Sequence, residues 1–396
     1  MHFYGYPREN GTYGVRNNVA VISTVICANG VVDAIGRKVP GVLAMTHDHG
    51  CGATAEIAVR TLPGIAANPN YAAVLLVGLG CEGAQAPVLA REIAKSGKWV
   101  EYLVIQDNGG TSETIRKGAA IARKMLTKAR QEKRVLAGLE NLTIGLECGG
   151  SDAFSGVTAN PAVGIASDML IAQGGTAIIA EITEMVGTTH ILKKRAATPE
   201  VARKVEAYVA LGAEADSWRA EPVAEGNTHT VAPGNLAGGL SNIIEKSLGC
   251  IAKGGQSPVA DCVPYAVKPS TKGLIIMETD GYDIESIAGM VAGGAQIILF
   301  TSGRGTPTGF MGIPVIKVIS NSLAYNKMPG DIDINAGEIL DGVKTVKEVG
   351  RDIFDLMLRV AGGEVARAEA NRQEQFSLRQ EGFPYPSLRD IARNCL

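Results

Sequence analysis

The stretch IGLECGGSDAFSGVTANPAVG, Ile144 to Gly164, sets a carboxylate (Glu147), a thiol (Cys148), a hydroxyl (Ser151) and a second carboxylate (Asp152) on one glycine-bearing turn. An apolar strand leads in, and Asn160 with Pro161 reads as the N-cap and first residue of a helix. Val163, Ala166, Met169 and Leu170 form the buried stripe of that helix, and Gly174 closes it. The turn thus presents Ser151, Asp152, Ser155 and Thr158 beside exposed backbone N–H groups. Such a turn suits a polyhydroxylated anion, whose hydroxyls meet Asp and Ser and whose carboxylate meets amides. The alternative is a solvated flexible loop; its length and its place at a strand's carboxyl end favour a site.

THDHGCG places His47, His49 and Cys51 at alternate positions. In an extended chain alternate side chains share a face, so the three are expected to converge on one ion. Imidazole and thiolate suit iron or zinc, with nearby carboxylates and water completing the shell. The competing reading is a polar strand end with incidental histidines. Only five histidines occur in the chain, and the pairing of two here favours function. Cys27, Cys51, Cys81 and Cys148 each fall at a strand-to-helix turn, where three thiolates could hold an iron–sulfur cluster. Against the cluster, the spacings match no compact motif and small core cysteines are common.

AEITEMVGTTHIL contributes Glu181 at a strand end, then Glu184 and His190. GNLAGGLSNIIEKSLG sets Lys246 on a short helix closed by Gly249; a desolvated lysine can serve as a general base, whereas most helical lysines are solvated. FTSGRGTPTG holds Arg304 in a glycine-lined turn after a strand, a natural bidentate clamp for a carboxylate. KVISN ends on Asn321, a further hydrogen-bonding group. GLGCEG, with Gly78, Gly80 and Gly83, follows a strand, precedes a helix, and is followed by Asp107 at the end of the next strand, matching a dinucleotide fingerprint. Glu82 inside that turn opposes the fingerprint, because its carboxylate competes with a pyrophosphate for the helix N-terminus.

These turns need strands and helices to hold them. VAVISTVI, AAVLLVGLG, VEYLVI, LTIGL, TAIIA, GLIIM and AQIILF are short apolar runs, most of them followed by a glycine-rich turn and an amphipathic helix. The grammar predicts an α/β fold of Rossmann-like parallel sheets with helical crossovers, in two domains. The boundary is expected near residue 140, after the charged stretch LTKARQEKRVLAGLEN: an N-terminal α/β domain over 1–140 and a C-terminal one over 141–396 with a charged helical tail. The irregular segment from Trp218 to Asn235 is expected to cross the surface toward a site.

The 396 residues suffice for two packed domains, and 46% hydrophobic with 20% charged residues describe an ordinary globular protein. A net charge of −2 argues against nucleic acid as a partner. Neither a secretory signal nor an apolar run long enough for a membrane helix is visible, and seven scattered cysteines do not resemble a disulfide framework. A reduced, cytoplasmic location without membrane association is the expectation.

Taken together, GYPRENGTYGVRN, HDHGCG, ECGGSDAFSGVTANPAVG, EITEMVG, GNLAGGLSNIIEKSLG, TDGYD, LFTSGRGTPTG and DIDINAGEILDG resemble the large catalytic portion of the altronate/galactarate (sugar-acid) dehydratase family, over nearly the whole chain. The resemblance implies a hydro-lyase that removes water from an aldonate or aldarate to give a 2-keto-3-deoxy acid, with a divalent metal, most often Fe2+ (Mn2+ or Mg2+ as alternatives), and no nucleotide cofactor. Sulfolactate sulfo-lyase large subunits are relatives that eliminate sulfite; GGSDAFSG and SGRGTPTG are nearer the sugar-acid branch. Fused family members carry a small SAF-type module ahead of GYxRxxGxxGxRN, so a separate small SAF-type subunit is expected as partner. A homo-oligomer is expected from the base rate for large metabolic enzymes. A nicotinamide-dependent oxidoreductase built on Gly78–Gly83 is the more distant alternative.

The chemistry requires a base for the C2 proton, an acid for the departing C3 hydroxyl, and positive charge to stabilise the enediolate. Lys246, His190 and Glu181 are the expected acid–base groups. His47, His49 and Cys51, with Glu147 or Asp152, are expected to hold the metal. Ser151, Asp152, Thr158, Asn160, Arg304 and Asn321 are expected to bind substrate.

Overall fold

The structure, a computed structural model, describes residues 1–52, 56–218 and 231–379. Residues 219–230, most of the irregular segment noted above, lie outside the described residues, as does the chain beyond 379. The chain opens with β1 (His2–Pro7), which pairs antiparallel with β2 (Tyr13–Gly14). Then β3 (Asn18–Ser23), β4 (Leu43–Met45), β5 (Tyr71–Gly78) and β6 (Trp99–Val104) build a parallel sheet in the order β4-β3-β5-β6. β7 (Val135–Gly138) returns to pair antiparallel with β1, completing a small three-stranded sheet.

The second half forms a seven-stranded parallel sheet from β8 (Thr143–Cys148), β9 (Thr176–Ile179), β10 (Val259–Val263), β11 (Gly273–Met277), β12 (Ile297–Ser302), β13 (Val315–Ile319) and β14 (Ile334–Asn335). Its order is β10-β11-β9-β8-β12-β13-β14, with Glu147 of β8 opposite Phe300 of β12 and Cys148 opposite Thr301. These strands are continuous apolar runs rather than alternating ones, because helices cover a parallel sheet on both faces. β8, β9 and β12 are buried almost throughout. The α/β architecture read from the sequence is the one observed.

Helix 346–361 shows how sequence fixes an element locally. Thr345 and Glu348 form a capping box: the Glu348 carboxylate accepts from the Thr345 N–H at 2.8 Å, and the Thr345 hydroxyl accepts from the Glu348 N–H at 3.2 Å. Val349, Ile353, Met357 and Val360 then form a buried stripe, and Gly350 lets the helix approach Ala162 and Ile165 on helix Ala159–Ile171. One apolar cluster is shared by the two parallel sheets, joining Ala20, Ile22 and Leu76 to Ile275, Ile287 and Phe300.

Three local expectations differ from the structure. Helix Ala159–Ile171 begins one residue before Asn160, whose side chain bridges the Thr301 hydroxyl (2.6 Å) and the Gly249 carbonyl (2.9 Å) instead of capping. Helix Ile243–Ile251 runs through Gly249 rather than ending there, since Gly249 packs face to face with Gly156, 3.1 Å from where a Gly156 Cβ would stand. The tail is not helical along its length: among the described residues beyond Gly362 the helical turn is Arg367–Ala370. Leu378 instead enters the shared core, half-buried Phe376 packs against it, and Arg379 pairs with Glu278 at 2.8 Å in a buried setting. Burial of that ion pair and those two side chains outweighs the helical preference of the charged residues.

Candidate active site

The carboxyl ends of β8, β9 and β11 lie side by side, and each supplies a polar group just past its last apolar residue. β8 ends on Glu147 and Cys148; the turn after β9 brings Glu181 and Glu184; the turn after β11 brings Thr279 and then Asp283 at the start of helix Asp283–Ala292. Helix Ile243–Ile251 closes over them and contributes Lys246 and Cys250, which lie four residues apart on one face, and Lys253 follows in the next turn. The Gly156–Gly249 contact lets this helix come close enough for those side chains to reach the strand tips.

Glu181 adopts a left-handed backbone, φ 68 and ψ 55, which costs a non-glycine residue on the order of 1–3 kcal/mol. Thr279 holds that conformation: its hydroxyl accepts from the Glu181 N–H at 2.6 Å, and its carbonyl accepts from the Ile182 N–H at 3.0 Å. The reversal turns the Glu181 carboxylate back over β8, where Oε2 accepts from the Cys148 N–H at 3.1 Å and pairs with Lys253. Cys148 Sγ lies 3.5 Å from Glu181 Oε1 and 3.4 Å from Glu184 Oε2, and Lys246 Nζ lies 2.7 Å from Glu184 Oε1. Donor atoms of Cys148, Glu181, Glu184 and Cys250 all fall within 4.8 Å of one another, and all four residues are buried.

Electrostatics of this group favour added positive charge. Burial raises the pKa of Glu147, Glu181 and Asp283, and neighbouring carboxylates push each further; Asp283 is raised to about 7. Burial works to discharge Lys246 and Lys253, yet the acids and thiols around them overcome it and hold both above the ordinary lysine range. Burial thus favours the neutral acids, while the acids and thiols around the two lysines favour keeping these charged. Glu147 adds to this: Oε2 accepts from Ser286 at 2.6 Å, while Oε1 is buried with no hydrogen-bond partner among the described residues. A buried carboxylate oxygen left so is costly unless a cation or proton meets it.

Two carboxylates and two thiols in van der Waals reach fit a divalent transition metal. Mixed sulfur and oxygen donors suit Fe2+ or Zn2+ better than Mg2+, which prefers oxygen alone. The donor set differs from the one the sequence suggested. His47 is buried with both ring nitrogens engaged: Nδ1 accepts from the His49 N–H at 3.1 Å, so Nε2 carries the proton and donates to the Ser23 carbonyl at 2.9 Å. Burial drives the His47 pKa down to about 4. His49 is half-buried and Cys51 exposed, and neither joins a group of metal-capable donors among the described residues. Glu147 is at the tip of β8, in the other sheet.

The glycine–serine turn is built differently from its expected use. Asp152 Oδ1 accepts from the Ser155 N–H (2.9 Å), the Ser155 hydroxyl (2.8 Å) and the Ser320 hydroxyl (2.8 Å), and Oδ2 accepts from Asn321 Nδ2 (2.9 Å). Thr158 donates to the Ser320 and Phe154 carbonyls, both at 2.8 Å, and buried Ser151 offers its carbonyl to Asn235 at 2.9 Å. Asp152, Thr158, Asn160 and Asn321 thus tie the turn to the β12 and β13 tips. Arg304 is exposed, its Nη1 donates to the Gly234 carbonyl at 3.5 Å, and its Cβ lies 3.7 Å from where a Gly150 Cβ would stand. Asp283 Oδ2 lies 2.4 Å from the same point on Gly149, so Arg304 and Asp283 flank the segment that follows Cys148. His190 is exposed on helix Thr189–Lys194, and among the described residues no hydrogen bond or ion pair joins it to the cluster.

GLGCEG is occupied by its own acid. Buried Glu82 accepts from the Thr24 hydroxyl and from the Gly80 N–H, each at 2.7 Å. A Cβ on Gly78 would stand 2.3 Å from Glu82 Oε1, so the glycines make room for this carboxylate at the position a pyrophosphate would take.

Sequence reasoning did not single out Cys250, Lys253 or Asp283 for this site. Cys250 and Lys253 follow Lys246 at i+4 and i+7, the spacing of one helical face, and that was the signal available. Asp283 lies in TDGYD, whose place after an apolar strand marks a strand tip.

Comparison with known proteins identifies the family. The family model described as D-galactarate/Altronate dehydratase, C-terminal, matches residues 139–383, and that described as D-galactarate dehydratase/Altronate hydrolase, second domain, matches residues 5–130. Altronate dehydratase of Bacillus subtilis (strain 168) is 36% identical over 394 residues, covering 96% of this chain and 78% of the relative. Galactarate dehydratase (L-threo-forming) of Escherichia coli (strain K12) is 35% identical over 387 residues, covering 91% and 73%. The (2R)-sulfolactate sulfo-lyase subunit beta of Chromohalobacter salexigens is 32% identical over 381 residues, covering 95% and 96%. By matches of this extent, which span both parallel sheets, the chain belongs to the galactarate/altronate dehydratase family.

Proposed function

We propose that this protein is a hydro-lyase that dehydrates a sugar acid, an aldonate or aldarate such as altronate or galactarate, to a 2-keto-3-deoxy acid. The observation that carries the reading is the buried, acid-rich group of Cys148, Glu181, Glu184 and Cys250 beside Lys246, in a chain whose relatives are named as altronate and galactarate dehydratases. Cys148, Glu181, Glu184 and Cys250 would hold a divalent ion, Fe2+ best matching their sulfur and oxygen donors. Such an ion would supply Lewis-acid stabilisation of the negative charge that develops next to the substrate carboxylate.

The chain's own residues account for the proton movements. Asp283, half-buried and with its pKa raised to about 7, takes the C2 proton. Lys246 is held protonated by Glu184 and gives a proton to the C3 hydroxyl as the C3–O bond breaks, so the acid role suits it and the base role does not. Water leaves, the C2–C3 enol remains, and it tautomerises to the 2-keto acid. Arg304 faces the substrate carboxylate from the other side of the Cys148–Ser151 segment. Asp152, Asn321, Thr158 and Asn160 hold that segment's shape, and the backbone N–H groups of Gly150 and Ser151 meet the substrate hydroxyls.

A separate small subunit, expected from the resemblance, remains part of the proposal, supported by a relative named as a subunit that matches along 96% of its own length. The same relative supports a second reading, elimination of sulfite from a sulfonated hydroxy acid at the same site. Among the described residues no helix is long and apolar enough to cross a membrane. The deciding experiment incubates the full chain anaerobically with aldonates, aldarates and sulfolactate, with Fe2+ or Mn2+, with and without a candidate small subunit. Formation of 2-keto-3-deoxy acid supports the first reading, sulfite release the second, and neither product with any substrate removes both.

A further inference from the structure

The turn after β11, Glu278 to Asp283, reaches the candidate site at several points. Thr279 holds Glu181 in its left-handed conformation, and its hydroxyl lies 3.0 Å from that of Ser286, which donates to Glu147 at 2.6 Å. A Cβ on Gly281 would stand 3.1 Å from Glu184 Oε1, so this turn also backs the second carboxylate of the donor set. The conformation of the turn therefore decides where two of the four donors point.

A residue one hundred positions away grips that turn. Glu278 and Asp280, on either side of Thr279, are both buried, and the buried Arg379 guanidinium faces both. Nη1 donates to Glu278 Oε1 at 2.8 Å, and Nε lies 3.9 Å from Asp280 Oδ2. The guanidinium carbon lies 5.0 Å from the centre of the Tyr265 ring. Tyr265 completes the brace: its N–H donates to Glu278 at 3.2 Å, and its hydroxyl to the Glu285 carbonyl at 2.7 Å in helix Asp283–Ala292. A planar fork that meets two carboxylates over a ring is a task for arginine rather than lysine. The tail delivers it there by its own contacts. Gln375 accepts from the Gly309 N–H at 2.9 Å through its side chain and from the Met311 N–H at 3.2 Å through its carbonyl. Phe376 meets the edge of Phe310, with ring centres 5.8 Å apart. Without the guanidinium, two buried carboxylates in one turn would repel each other, and the turn would have to shift or take up protons.

We infer that Arg379 is a positioning residue for the metal centre: by gripping Glu278 and Asp280 it fixes the turn that aims Glu181 and backs Glu184. The inference rests on the donor set proposed above and assigns Arg379 no contact with metal or substrate.

The test uses the full chain, loaded anaerobically with Fe2+ alone or Co2+ alone. Equilibrium dialysis gives the Fe2+ affinity, and Co2+ gives a thiolate-to-metal absorption band that reports how Cys148 and Cys250 meet the ion. R379M should bind Fe2+ about ten- to a hundredfold more weakly than wild type, the usual worth of an outer supporting group, with a weakened Co2+ band. R379K, which keeps the charge without the fork, should recover part of both. F376A disturbs the same tail but changes no charge; it should lower the melting temperature and leave Fe2+ affinity unchanged. Where R379M does not fold, R379M/E278Q, which also removes a carboxylate left unpaired, takes its place with the same expected loss. An Arg379 variant that binds Fe2+ as tightly as wild type overturns the inference. So does F376A losing as much affinity as R379M, since Arg379 would then serve stability alone. Wild type that binds no Fe2+ overturns the inference together with the donor set. Wild type that binds Fe2+ but forms no product removes the proposed reaction, while the binding data still support the role of Arg379.

Discussion

Lys253 and Glu181 form an ion pair with no exposed surface on either side chain. Pairing and burial together make this contact matter more for what happens when it is broken than for its net worth, since desolvation offsets most of the Coulomb gain. Lys253→Met leaves Glu181 buried and unpaired and is expected to destabilise the fold by about 3–5 kcal/mol. Urea denaturation measures it. The double change K253M/E181Q, which removes the charge as well, should recover much of the loss; no recovery would show that Lys253 acts through packing alone.

Lys246 contacts Glu184 at 2.7 Å at the margin of the same group and keeps its proton there. Lys246→Met should lower kcat by about 10²–10⁴, the usual worth of a positioned acid, with a smaller change in KM. The readout is 2-keto-3-deoxy acid formed per chain. Turnover within threefold of wild type would take Lys246 out of the mechanism.

Asp283 and Arg304 flank the segment after Cys148. Asp283→Asn should abolish turnover by a similar factor of about 10²–10⁴ while leaving substrate binding intact, whereas Arg304→Met should chiefly raise KM. Steady-state kinetics on both variants separate the two roles. The reverse pattern would exchange the assignments.

Cys148→Ser and Cys250→Ser test the donor set directly. Each should weaken Fe2+ binding by more than about a hundredfold, beyond what loss of an outer supporting group costs. Equilibrium dialysis gives metal per chain without any appeal to activity. His49→Gln, at a position outside the buried group, should leave Fe2+ binding unchanged; the opposite result would return the metal to the histidine turn.

Burial holds the His47 pKa near 4, well below its ordinary value of 6.5. The unfolded chain therefore binds a proton between pH 6.5 and 4 that the folded chain refuses, so this contribution is complete above pH 6.5 and is lost as pH falls through that window. If fully expressed the effect is about 3 kcal/mol. Protonation also removes the acceptor for the His49 N–H. His47→Gln should flatten stability between pH 6.5 and 4, read from denaturation midpoints; an unchanged slope would assign the acid sensitivity elsewhere.

Much of the fold was legible because parallel strands buried on both faces leave a plain signature, an apolar run followed by a glycine turn. LTIGLEC, GLIIM and AQIILF could be placed without coordinates, and so could the turns that follow them. Helix limits around Gly249 and Asn160 were not, because each residue makes a contact with a distant segment, Gly156 in one case and Thr301 in the other. The tail misled for a similar reason: Phe376 and Leu378 answer to a core assembled from both sheets.

By itself the sequence determined the α/β class, the family and the list of strand tips where chemistry could occur, since these depend on local pattern and on long motifs. Only the tertiary structure decided which tips meet. Sheet order brings Cys148, Glu181 and Thr279 side by side, a left-handed residue turns Glu181 inward, and a helix one hundred residues downstream of Cys148 lays Lys246 and Cys250 over them. It also withdrew His47 from the list by spending both its nitrogens on the backbone. Strand adjacency and side-chain satisfaction are relations between segments far apart in the chain, and no spacing within one segment encodes them.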